Sequence, residues 1–433
     1  MSPMNKMQKR IAVVGAGIAG LSCAYELQRA GHEVVVYEKD ERVGGRMSSR
    51  VKDGFVFDLG ADHLCDLYDG IKAYCAEFGI PWEKMRFLKY GLYRNGRVLP
   101  LKQAIGRLSK FRLAATYLLA RDVADFFDLS HLSTHDRDNA YDFMRWRTGS
   151  EVADYFVDAF ASTYQFHRAK EISLGALLGI MRSIQKDQPR WHLHRTRGGM
   201  QALPDALAKR LNVKTATPVR AVTGGEQIRI ITDAGEETFD AVVLASQAPM
   251  SLAMYQNPTA AQRVILEQSR YAATISVALR VPRQSMPDTA VVWVPYRESK
   301  KISGYVNEAM KGEELEHGGK TLICAWLHEE FAKEIIDLPD SEIFTQVKTE
   351  LARVCPWVTA EQIEPHDLQK WPLAMPKFAH GHLSAVKKFL SDRGGQGAQN
   401  VWLCGDYLNS PWTEGALRGG QRVAAQIIGT TAR

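Results

Sequence analysis

The start of the chain alternates between short apolar runs and breaks that contain glycine. Residues 11–14 form a short, mostly β-branched run, as expected of a buried parallel strand. After a glycine-rich break, apolar residues recur at helical spacing as far as Gly31, which is a suitable helix stop. Residues 33–37 form a second strand-like run that leads directly into Glu38. This pattern predicts a strand, a helix and a second, parallel strand.

The break between the first strand and the helix is a complete G-x-G-x-x-G sequence. In such a loop Gly15 allows a tight turn, Gly17 lets the backbone approach a pyrophosphate, and Gly20 permits close helix–strand packing. The N–H groups of the helix N-terminus, around Ala19, face the anion. Glu38 follows about 20 residues later, where a carboxylate accepts hydrogen bonds from the adenosine ribose. Because that carboxylate would repel a 2′-phosphate, the unit predicts a dinucleotide other than NADP. The alternative is a glycine-rich turn in an ordinary α/β core.

The residues after Glu38 favour FAD over NAD. Lys39 opens a five-residue spacer that ends at Gly44-Gly45-Arg46. Together with the preceding unit, this spacing resembles the flavin-containing amine oxidase superfamily, which includes protoporphyrinogen oxidases and carotenoid desaturases. The resemblance implies that the backbone of this segment and Arg46 contact the FAD phosphates. Glycines permit a close approach, and a guanidinium matches phosphate oxygens.

Later segments extend the resemblance to the C-terminus. Residues 54–61 are similar to the family's G-F-x-x-D-x-G segment, which passes close to the flavin ring, and residues 197–203 resemble its G-G-M turn. Residues 217–222 match a strand that places a valine backbone against the adenine, and residues 401–416 resemble the closing G-D…E-G-A segment. The further FAD contacts implied are Gly60, Ala61, Val219, Gly405, Asp406, Glu414, Gly415 and Ala416.

Four residues are candidates to face the flavin, although no catalytic residue is assigned. His63 follows the 54–61 segment, and Trp412 precedes the closing helix. Trp371 opens a W-x-x-A-x-P segment that is seen notably in protoporphyrinogen oxidases. Ser276 stands where many amine oxidases carry a lysine, which disfavours a conventional amine oxidase. No metal site is predicted.

The expected fold class is α/β, with a discontinuous Rossmann-like FAD-binding domain, an α+β substrate-binding domain and a helical cap. Strand-like runs at 273–281, 290–294 and 321–327 predict the substrate-domain sheet. Residues 64–191 instead have the pattern of apolar and polar residues that is typical of amphipathic helices. The expected divisions are 1–85, 195–248 and 395–433 for the FAD-binding domain, 86–194 for the helical cap and substrate domain, and 249–394 for the substrate-binding sheet.

Composition limits the partners and the compartment. The 433 residues are 45% hydrophobic and 24% charged, with a formal net charge of +6, which does not argue for nucleic acid. Six scattered cysteines without a C-x-x-C pair suggest neither zinc nor a disulfide framework, so a reducing cytoplasm is expected. We see neither a secretory signal nor an apolar run of membrane-spanning length. The oligomeric state is not predicted.

One stretch suggests contact with a membrane surface. Residues 99–120 place Leu101, Ile105, Leu108 and Leu119 among Lys102, Arg107, Lys110 and Arg112. Such a basic amphipathic stretch is typical of membrane-surface helices. The same pattern fits a cap helix with a solvated basic face, and that interpretation is preferred.

The function expected from these features is that of an FAD-dependent oxidoreductase. It would remove a hydride from a fairly apolar small molecule, in the manner of protoporphyrinogen oxidases and desaturases. The cofactor itself would supply the electron-accepting chemistry. The alternatives are an amine oxidase, a redox-neutral FAD mutase or isomerase, and a flavin-holding module without turnover. Cys404 does not match the family's covalent cysteine, so the FAD is expected to be non-covalent.

Overall fold

Five parallel strands, drawn from distant parts of the sequence, form the sheet around which the molecule is built. The computed structural model describes residues 8–85, 89–116, 127–186, 192–312 and 315–431. The strands within these residues are β1 (Arg10–Val14), β2 (Glu33–Tyr37), β3 (Ser49–Lys52), β4 (Phe55–Asp58), β5 (Leu64–Cys65), β6 (Trp82–Lys84), β7 (Tyr90–Arg94), β8 (Arg97–Pro100), β9 (Leu193–Thr196), β10 (Asn212–Lys214), β11 (Val219–Thr223), β12 (Ile228–Thr232), β13 (Gly235–Phe239), β14 (Ala241–Leu244), β15 (Tyr271–Pro282), β16 (Val291–Trp293), β17 (Ile302–Asn307), β18 (Lys320–Leu327), β19 (Glu364–Pro376) and β20 (Val401–Leu403).

The helices pack against this sheet, against a second large sheet described below and against one another. Within the same residues they are α1 (Ile18–Arg29), α2 (Asp69–Glu77), α3 (Arg107–Thr116), α4 (Ala140–Thr148), α5 (Ser150–Val152), α6 (Asp158–Gln165), α7 (Leu174–Lys186), α8 (Ala202–Ala208), α9 (Ala248–Met254), α10 (Ala260–Gln268), α11 (Glu329–Ile335), α12 (Asp340–Val354), α13 (His382–Ser391) and α14 (Thr413–Thr431). A π-helical turn joins α5 to α6. Throughout the described ranges, each helix is too short or too polar to cross a bilayer.

The parallel sheet has the strand order β10-β2-β1-β14-β20. Its residues alternate between two apolar cores: Ile11 and Val13 pack with one, Ala12 and Val14 with the other. Burial on both faces explains why these strands are continuous apolar runs in the sequence. On one face α14 lies directly on α1, where a Cβ at Gly420 would come within 2.2 Å of the carbonyl oxygen of Ala19. The C-terminal helix is thereby held against the glycine loop.

The second large sheet has seven strands in the order β19-β15-β18-β17-β16-β7-β8. The three predicted runs correspond to β15, β16 and β18. Two strands were not predicted from the sequence: β17, which lies at the centre of the sheet, and β19, which lies at its edge. Pro365, Pro372 and Pro376 interrupt the strand pattern of β19, and an edge is the position where a strand tolerates residues without an N–H donor.

The expectation of amphipathic helices across residues 64–191 is partly wrong. Helices α2 to α7 lie there, but so do β5 to β8, and β7 and β8 form a hairpin that joins the seven-stranded sheet. The turn of this hairpin is Asn95-Gly96, with φ of 51° and 76°. Asn-Gly between two strand-like runs is a strong hairpin signal, and it was available in the sequence.

Candidate functional site

A cavity of about 670 Å³ lies between the glycine loop and the seven-stranded sheet. Its walls come from the ends of β1, β2 and β14, from the segment after β20, and from β15 and α6. Ligands of open parallel sheets bind beyond the carboxyl ends of the strands, so this is the expected position for a dinucleotide.

The glycine loop has the geometry that its sequence predicts. Gly15 has φ of +109°, and a Cβ there would lie 3.0 Å from the carbonyl oxygen of Ala245. A Cβ at Gly20 would lie 2.0 Å from the oxygen of Gly15, so this glycine is required by helix–strand packing. Gly17 differs from both because a Cβ there would meet nothing within 4 Å and would project into the cavity. The open space beside Gly17 is what a cradle for a ligand requires.

The second glycine segment is attached to the first. The backbone N–H of Gly44 donates to the carbonyl oxygen of Ala16 at 2.8 Å, and Gly17 and Gly44 form a parallel bridge. Gly44 and Gly45 have φ of +100° and +54°, a conformation that favours glycine. The two glycine turns therefore form one wall of the cavity.

Glu38 lies at the end of β2, in the wall of the cavity. Its carboxylate accepts hydrogen bonds from the backbone N–H of Ala16 at 2.8 Å and of Asp40 at 3.0 Å. Burial raises its pKa, and these two N–H donors oppose that rise. Each oxygen keeps a further acceptor site, so the carboxylate is oriented and can still accept from ribose hydroxyls.

Arg46 and Asp406 meet across the cavity wall. The guanidinium donates to both carboxylate oxygens of Asp406, at 2.7 and 3.1 Å, and to the carbonyl oxygen of Ala374 at 2.8 Å. Both residues were expected to contact FAD, each through its own motif, but their pairing was not predicted from the sequence. Their bidentate contact joins the first FAD-binding segment to the last one.

The structure brings most of the predicted site residues to this one cavity. The predicted cofactor residues that line it are Gly15, Gly17, Ala19, Glu38, Lys39, Gly45, Arg46, Gly60, Ala61, Val219, Gly405, Asp406 and Ala416. The four flavin-facing candidates, His63, Ser276, Trp371 and Trp412, line it as well.

Three predicted cofactor residues lie outside the lining. Gly20 packs inside the loop, as described above. Gly415 packs on Ser410, where a Cβ would lie 2.6 Å from the carbonyl oxygen. Glu414 is fully buried, and its carboxylate accepts from the backbone N–H groups of Gly70 and Ile71 at 2.8 and 2.9 Å. Its position at the start of α2 makes it an anion that stabilises that helix end.

Aromatic side chains form much of the rest of the wall. Trp293 donates its indole N–H to the hydroxyl of Tyr164 at 3.2 Å, and their rings meet edge-to-face at 5.9 Å. The other aromatic residues of this wall are Tyr90, Phe156, Phe160, Phe166 and Trp326. They come from α6, from the turns on either side of it and from the seven-stranded sheet, and none of them was predicted from the sequence to line the site. Tyr164 and Trp293 are far apart in the sequence, so no local sequence pattern predicts that they pack together.

A buried charged cluster lies behind His63. Asp62 Oδ1 is 2.5 Å from His63 Nδ1, and Lys311 Nζ is 3.5 Å from Asp62 Oδ2. The same ammonium lies 2.8 Å from Glu308 Oε2 and 3.7 Å from Asp58 Oδ2. The side chain of Lys311 is only 1% exposed. We call Asp58, Asp62, Glu308 and Lys311 the Lys311 cluster.

Burial and mutual attraction set the protonation of this cluster. Burial raises the pKa of Glu308 to about 7 despite the nearby ammonium. Burial acts in the same direction on Asp62, but His63 and Lys311 outweigh it and lower its pKa to about 2. The carboxyls raise the pKa of Lys311 against its own burial. Near neutral pH the cluster therefore holds a charged lysine, the charged Asp62 and a Glu308 that is close to its titration point.

Comparison with known proteins agrees with this geometry. A sequence profile of the family described as flavin containing amine oxidoreductase matches residues 18–428. Protoporphyrinogen oxidase 2, chloroplastic/mitochondrial, of Arabidopsis thaliana is 31% identical over 166 residues, which are 35% of this chain and 32% of that protein. The 4,4'-diapophytoene desaturase (4,4'-diaponeurosporene-forming) of Staphylococcus aureus strain Newman is 40% identical over 83 residues, 19% of this chain and 16% of the desaturase. The matches thus span about a third or less of these curated relatives.

The fold comparison covers nearly the whole molecule. The structure of a putrescine oxidase bound to putrescine has a TM-score of 0.78 and 19% sequence identity, and covers 98% of this chain and 99% of its own. At that identity the likeness concerns the fold alone. The fold confirms the expected α/β class, and the profile match confirms the resemblance. This chain belongs to the family of flavin-containing amine oxidoreductases, whose cofactor is a flavin.

Proposed function

We propose that this protein is an FAD-dependent oxidoreductase that removes a hydride equivalent from a fairly apolar small molecule. The observation that carries the proposal is a single cavity lined both by two glycine turns with an oriented carboxylate and by an aromatic wall. The first set suits a dinucleotide, and the second suits an apolar substrate held against it. The flavin, when bound, supplies the electron-accepting chemistry.

The residues present fit FAD. The open space beside Gly17 gives room for a pyrophosphate, and Glu38 can accept from the ribose hydroxyls. Ala416 lies in the first turn of α14, at the helix end whose dipole favours negative charge. Arg46 remains in the cavity wall with Asp406 and can orient toward phosphate oxygens.

We also propose that the FAD is non-covalent. Cys404 is buried, donates toward the carbonyl oxygen of Ala19 and is absent from the described lining of the cavity. Cys65 does line the cavity and is the position to examine for a flavin link. Release of free FAD by acid or heat is expected. A flavin-labelled peptide from the digested protein would contradict this proposal.

The aromatic wall supports an apolar substrate, and two observations weaken the alternatives. Ser276, which lines the cavity, offers no ammonium where many amine oxidases carry a lysine. A redox-neutral mutase acting on sugar nucleotides would need an arginine-rich diphosphate site. Arg195 and Arg197 both pair with Glu83, each at 2.7 Å or less, which leaves neither free for a diphosphate.

The test is reduction of the purified, FAD-loaded protein under anaerobic conditions by amines, porphyrinogens and polyenes. Bleaching of the flavin band by an apolar compound, followed by reoxidation with oxygen or an artificial acceptor, is the expected result. Bleaching by polar amines alone would favour an amine oxidase. Conversion of a substrate without net flavin reduction would favour an isomerase, and no bleaching at all would favour a flavin-holding module.

We further propose the five segments of the sequence analysis, 1–85, 86–194, 195–248, 249–394 and 395–433, as the domain divisions. The parallel sheet takes its strands from the first, third and fifth segments, and this supports the division. A reducing, cytoplasmic location is proposed on the ground that all six cysteines are buried and outside any disulfide.

Helices α3 and α4 support peripheral contact with an anionic membrane. Leu108 and Phe111 on α3 are 62% and 73% exposed, and Trp146 on α4 is 77% exposed. We call these three residues the α3–α4 surface. Exposed Arg107, Lys110, Arg112, Arg145 and Arg147 flank it. Leu113, on the inner side of α3, lines the cavity, so an apolar substrate could pass from lipid to the site.

This surface refines the expected contact through residues 99–120. Residues 97–100 are β8, a 3₁₀ turn follows at 101–103, and α3 begins only at Arg107. Ile105 is buried, and Leu119 lies outside the described residues. The membrane proposal therefore rests on Leu108, Phe111 and Trp146.

Sedimentation with phosphatidylserine–phosphatidylcholine vesicles tests the membrane proposal. Binding at low salt, weakened by about 0.5 M NaCl and by Phe111→Ser with Trp146→Ser, is expected, because apolar insertion and basic charge act together. Val51→Ser is the matched control, since Val51 is 70% exposed on β3. No sedimentation at low salt, or equal loss in the control, would refute it.

A further inference from the structure

The proposed reaction leaves a proton for which the cavity must provide an acceptor. When a hydride equivalent leaves a carbon, the adjacent N–H, O–H or C–H bond gives up its proton as the new double bond forms. The two electrons of the broken C–H bond pass to the flavin, and the proton needs a base within hydrogen-bond reach. The aromatic wall offers no such base, because phenol and indole groups are poor proton acceptors near neutral pH.

His63 is placed to accept that proton. It lines the cavity, with 19% of its side chain exposed, and its ring is held between Asp62 and the edge of Tyr164. Nδ1 faces the Asp62 carboxylate at 2.5 Å, so Nε2 is the nitrogen left for a substrate. A carboxylate beside one imidazole nitrogen favours the tautomer that carries its proton there, which leaves the other nitrogen to accept a proton.

The Lys311 cluster determines the charge around this imidazole. The titratable groups that face the histidine, or the carboxylate beside it, are Asp62, Tyr164, Lys311, Glu308, Asp58, Cys324, Tyr68 and Tyr90. Three carboxyls, those of Asp58, Asp62 and Glu308, surround the single ammonium of Lys311, so acidic groups are in excess and favour a net negative charge beside the histidine. A protonated His63 neutralises that charge. The cluster is therefore electrostatically complementary to a protonated His63. A cluster with equal numbers of positive and negative charges would not favour the protonated histidine in this way.

We propose that His63 is the proton acceptor of the reaction, and that Asp62 and Lys311 are the positioning residues that set its charge. This inference rests on the proposed function. The step is balanced: the substrate loses a hydride equivalent to the flavin and a proton to His63 Nε2, and the imidazolium later releases the proton to solvent.

Two charge-removing variants should act in opposite directions. The ring signals of the 12 histidines are followed by ¹⁵N NMR in the holoprotein, and the His63 signal is the one missing from His63→Gln. Asp62→Asn is expected to lower the titration midpoint of this signal by about one pH unit, and Lys311→Met to raise it by about as much. Shifts in the same direction, or no shift, would overturn the proposal that Asp62 and Lys311 set the charge of His63. If Lys311→Met fails to fold, the double variant Glu308→Gln/Lys311→Met tests the same loss of charge.

The kinetic arm separates this inference from the proposed function. With a compound that bleaches the wild-type flavin, His63→Gln should slow flavin reduction about 100-fold or more and remove the acidic limb of the pH profile. His194→Gln is the matched control because His194 also pairs with an aspartate, Asp66, at 3.0 Å and is not among the lining residues. An unchanged rate and pH profile in His63→Gln would refute the inference and leave the oxidoreductase in place. If no compound bleaches the wild type, the proposed function fails and this inference fails with it.

Discussion

Gly17 shows how one missing Cβ can define a ligand site. Its φ and ψ of −70° and 170° are accessible to any residue, and a Cβ there would meet no protein atom within 4 Å. Gly17→Ala should therefore fold normally but place a methyl group where the pyrophosphate is proposed to lie. We expect FAD affinity to fall at least about 10-fold, equivalent to about 1.4 kcal/mol.

Fluorescence titration of the apoprotein with FAD measures this loss. Gly429→Ala is the matched control, since a Cβ at that α14 glycine also meets nothing within 4 Å. It should bind FAD like the wild type and be slightly more stable, as is usual for a glycine replaced within a helix. Equal affinity in Gly17→Ala and the control would show that no ligand approaches this backbone.

Glu308 makes stability depend on pH with a definite sign. Burial raises its pKa from 4.5 to about 7, so the folded state binds a proton more tightly than the unfolded chain. Its contribution is fully present below about pH 4.5 and is lost as the pH rises through 7. Glutamine does not titrate, so Glu308→Gln removes this pH-dependent loss of stability. The variant should gain stability relative to wild type between pH 5 and 8, by about 3 kcal/mol at most.

Urea unfolding at several pH values measures the difference between the two proteins. Glu267→Gln, at an exposed glutamate of α10, is the control and should show no comparable trend. A difference that stays constant from pH 5 to 8 would mean that Glu308 does not titrate in this range.

Individual residues divide into those whose role a motif can predict and those whose role depends on packing. Gly15, Gly17 and Glu38 lie close together in sequence, so their spacing alone indicates a common site. Lys311 comes near Asp62 only through the turn after β17, a strand that the sequence analysis did not find. No local pattern could have revealed that contact.

At the scale of elements, α14 has two functions that its sequence motif does not separate. Ala416 lines the cavity, whereas the Glu414 carboxylate holds the N-terminus of α2 and accepts from Arg418 at 2.6 Å. We expect Glu414→Gln to lower the free energy of unfolding by about 2 kcal/mol, because charge-assisted hydrogen bonds of a buried group are lost. FAD affinity of the folded protein should change little.

Chemical denaturation compares this variant with Glu267→Gln. Glu267 belongs to an exposed pair with Arg263 at 3.8 Å, and such pairs contribute about 0.5 kcal/mol or less. If Glu414→Gln were as mild as the control, Glu414 would not be the support of α2. A large loss of FAD affinity at unchanged stability would return Glu414 to the cofactor site.

Elements with a repeated local pattern were predicted well, and edge elements were not. The alternation of β1, α1 and β2 follows from burial on both faces of a parallel sheet. The hairpin β7–β8 was not predicted, although Asn95-Gly96 is a hairpin-turn signal. It was overlooked because the flanking segments have the apolar pattern of amphipathic helices. The edge strand β19 was missed because prolines that an edge tolerates argue against a central strand.

At the scale of the whole molecule, the cavity wall comes from widely separated parts of the chain. Gly17 and Glu38 come from its start, Val219 from its middle and Asp406 from its end. A ligand that contacts all of these binds the folded state and not the unfolded chain. By linkage, FAD at about 100 times its dissociation constant should stabilise the fold by about 2.7 kcal/mol.

For a chain of this size, that stabilisation should raise the unfolding temperature of the apoprotein by a few degrees, and the rise should grow with the logarithm of FAD concentration. Tryptophan fluorescence during heating measures it. Riboflavin lacks the pyrophosphate and adenosine, so it cannot reach both Gly17 and Val219, and it should give a much smaller shift. Equal shifts from FAD and riboflavin would mean that the glycine loop contributes nothing to binding. The sheet that unites the chain's segments would then serve folding alone.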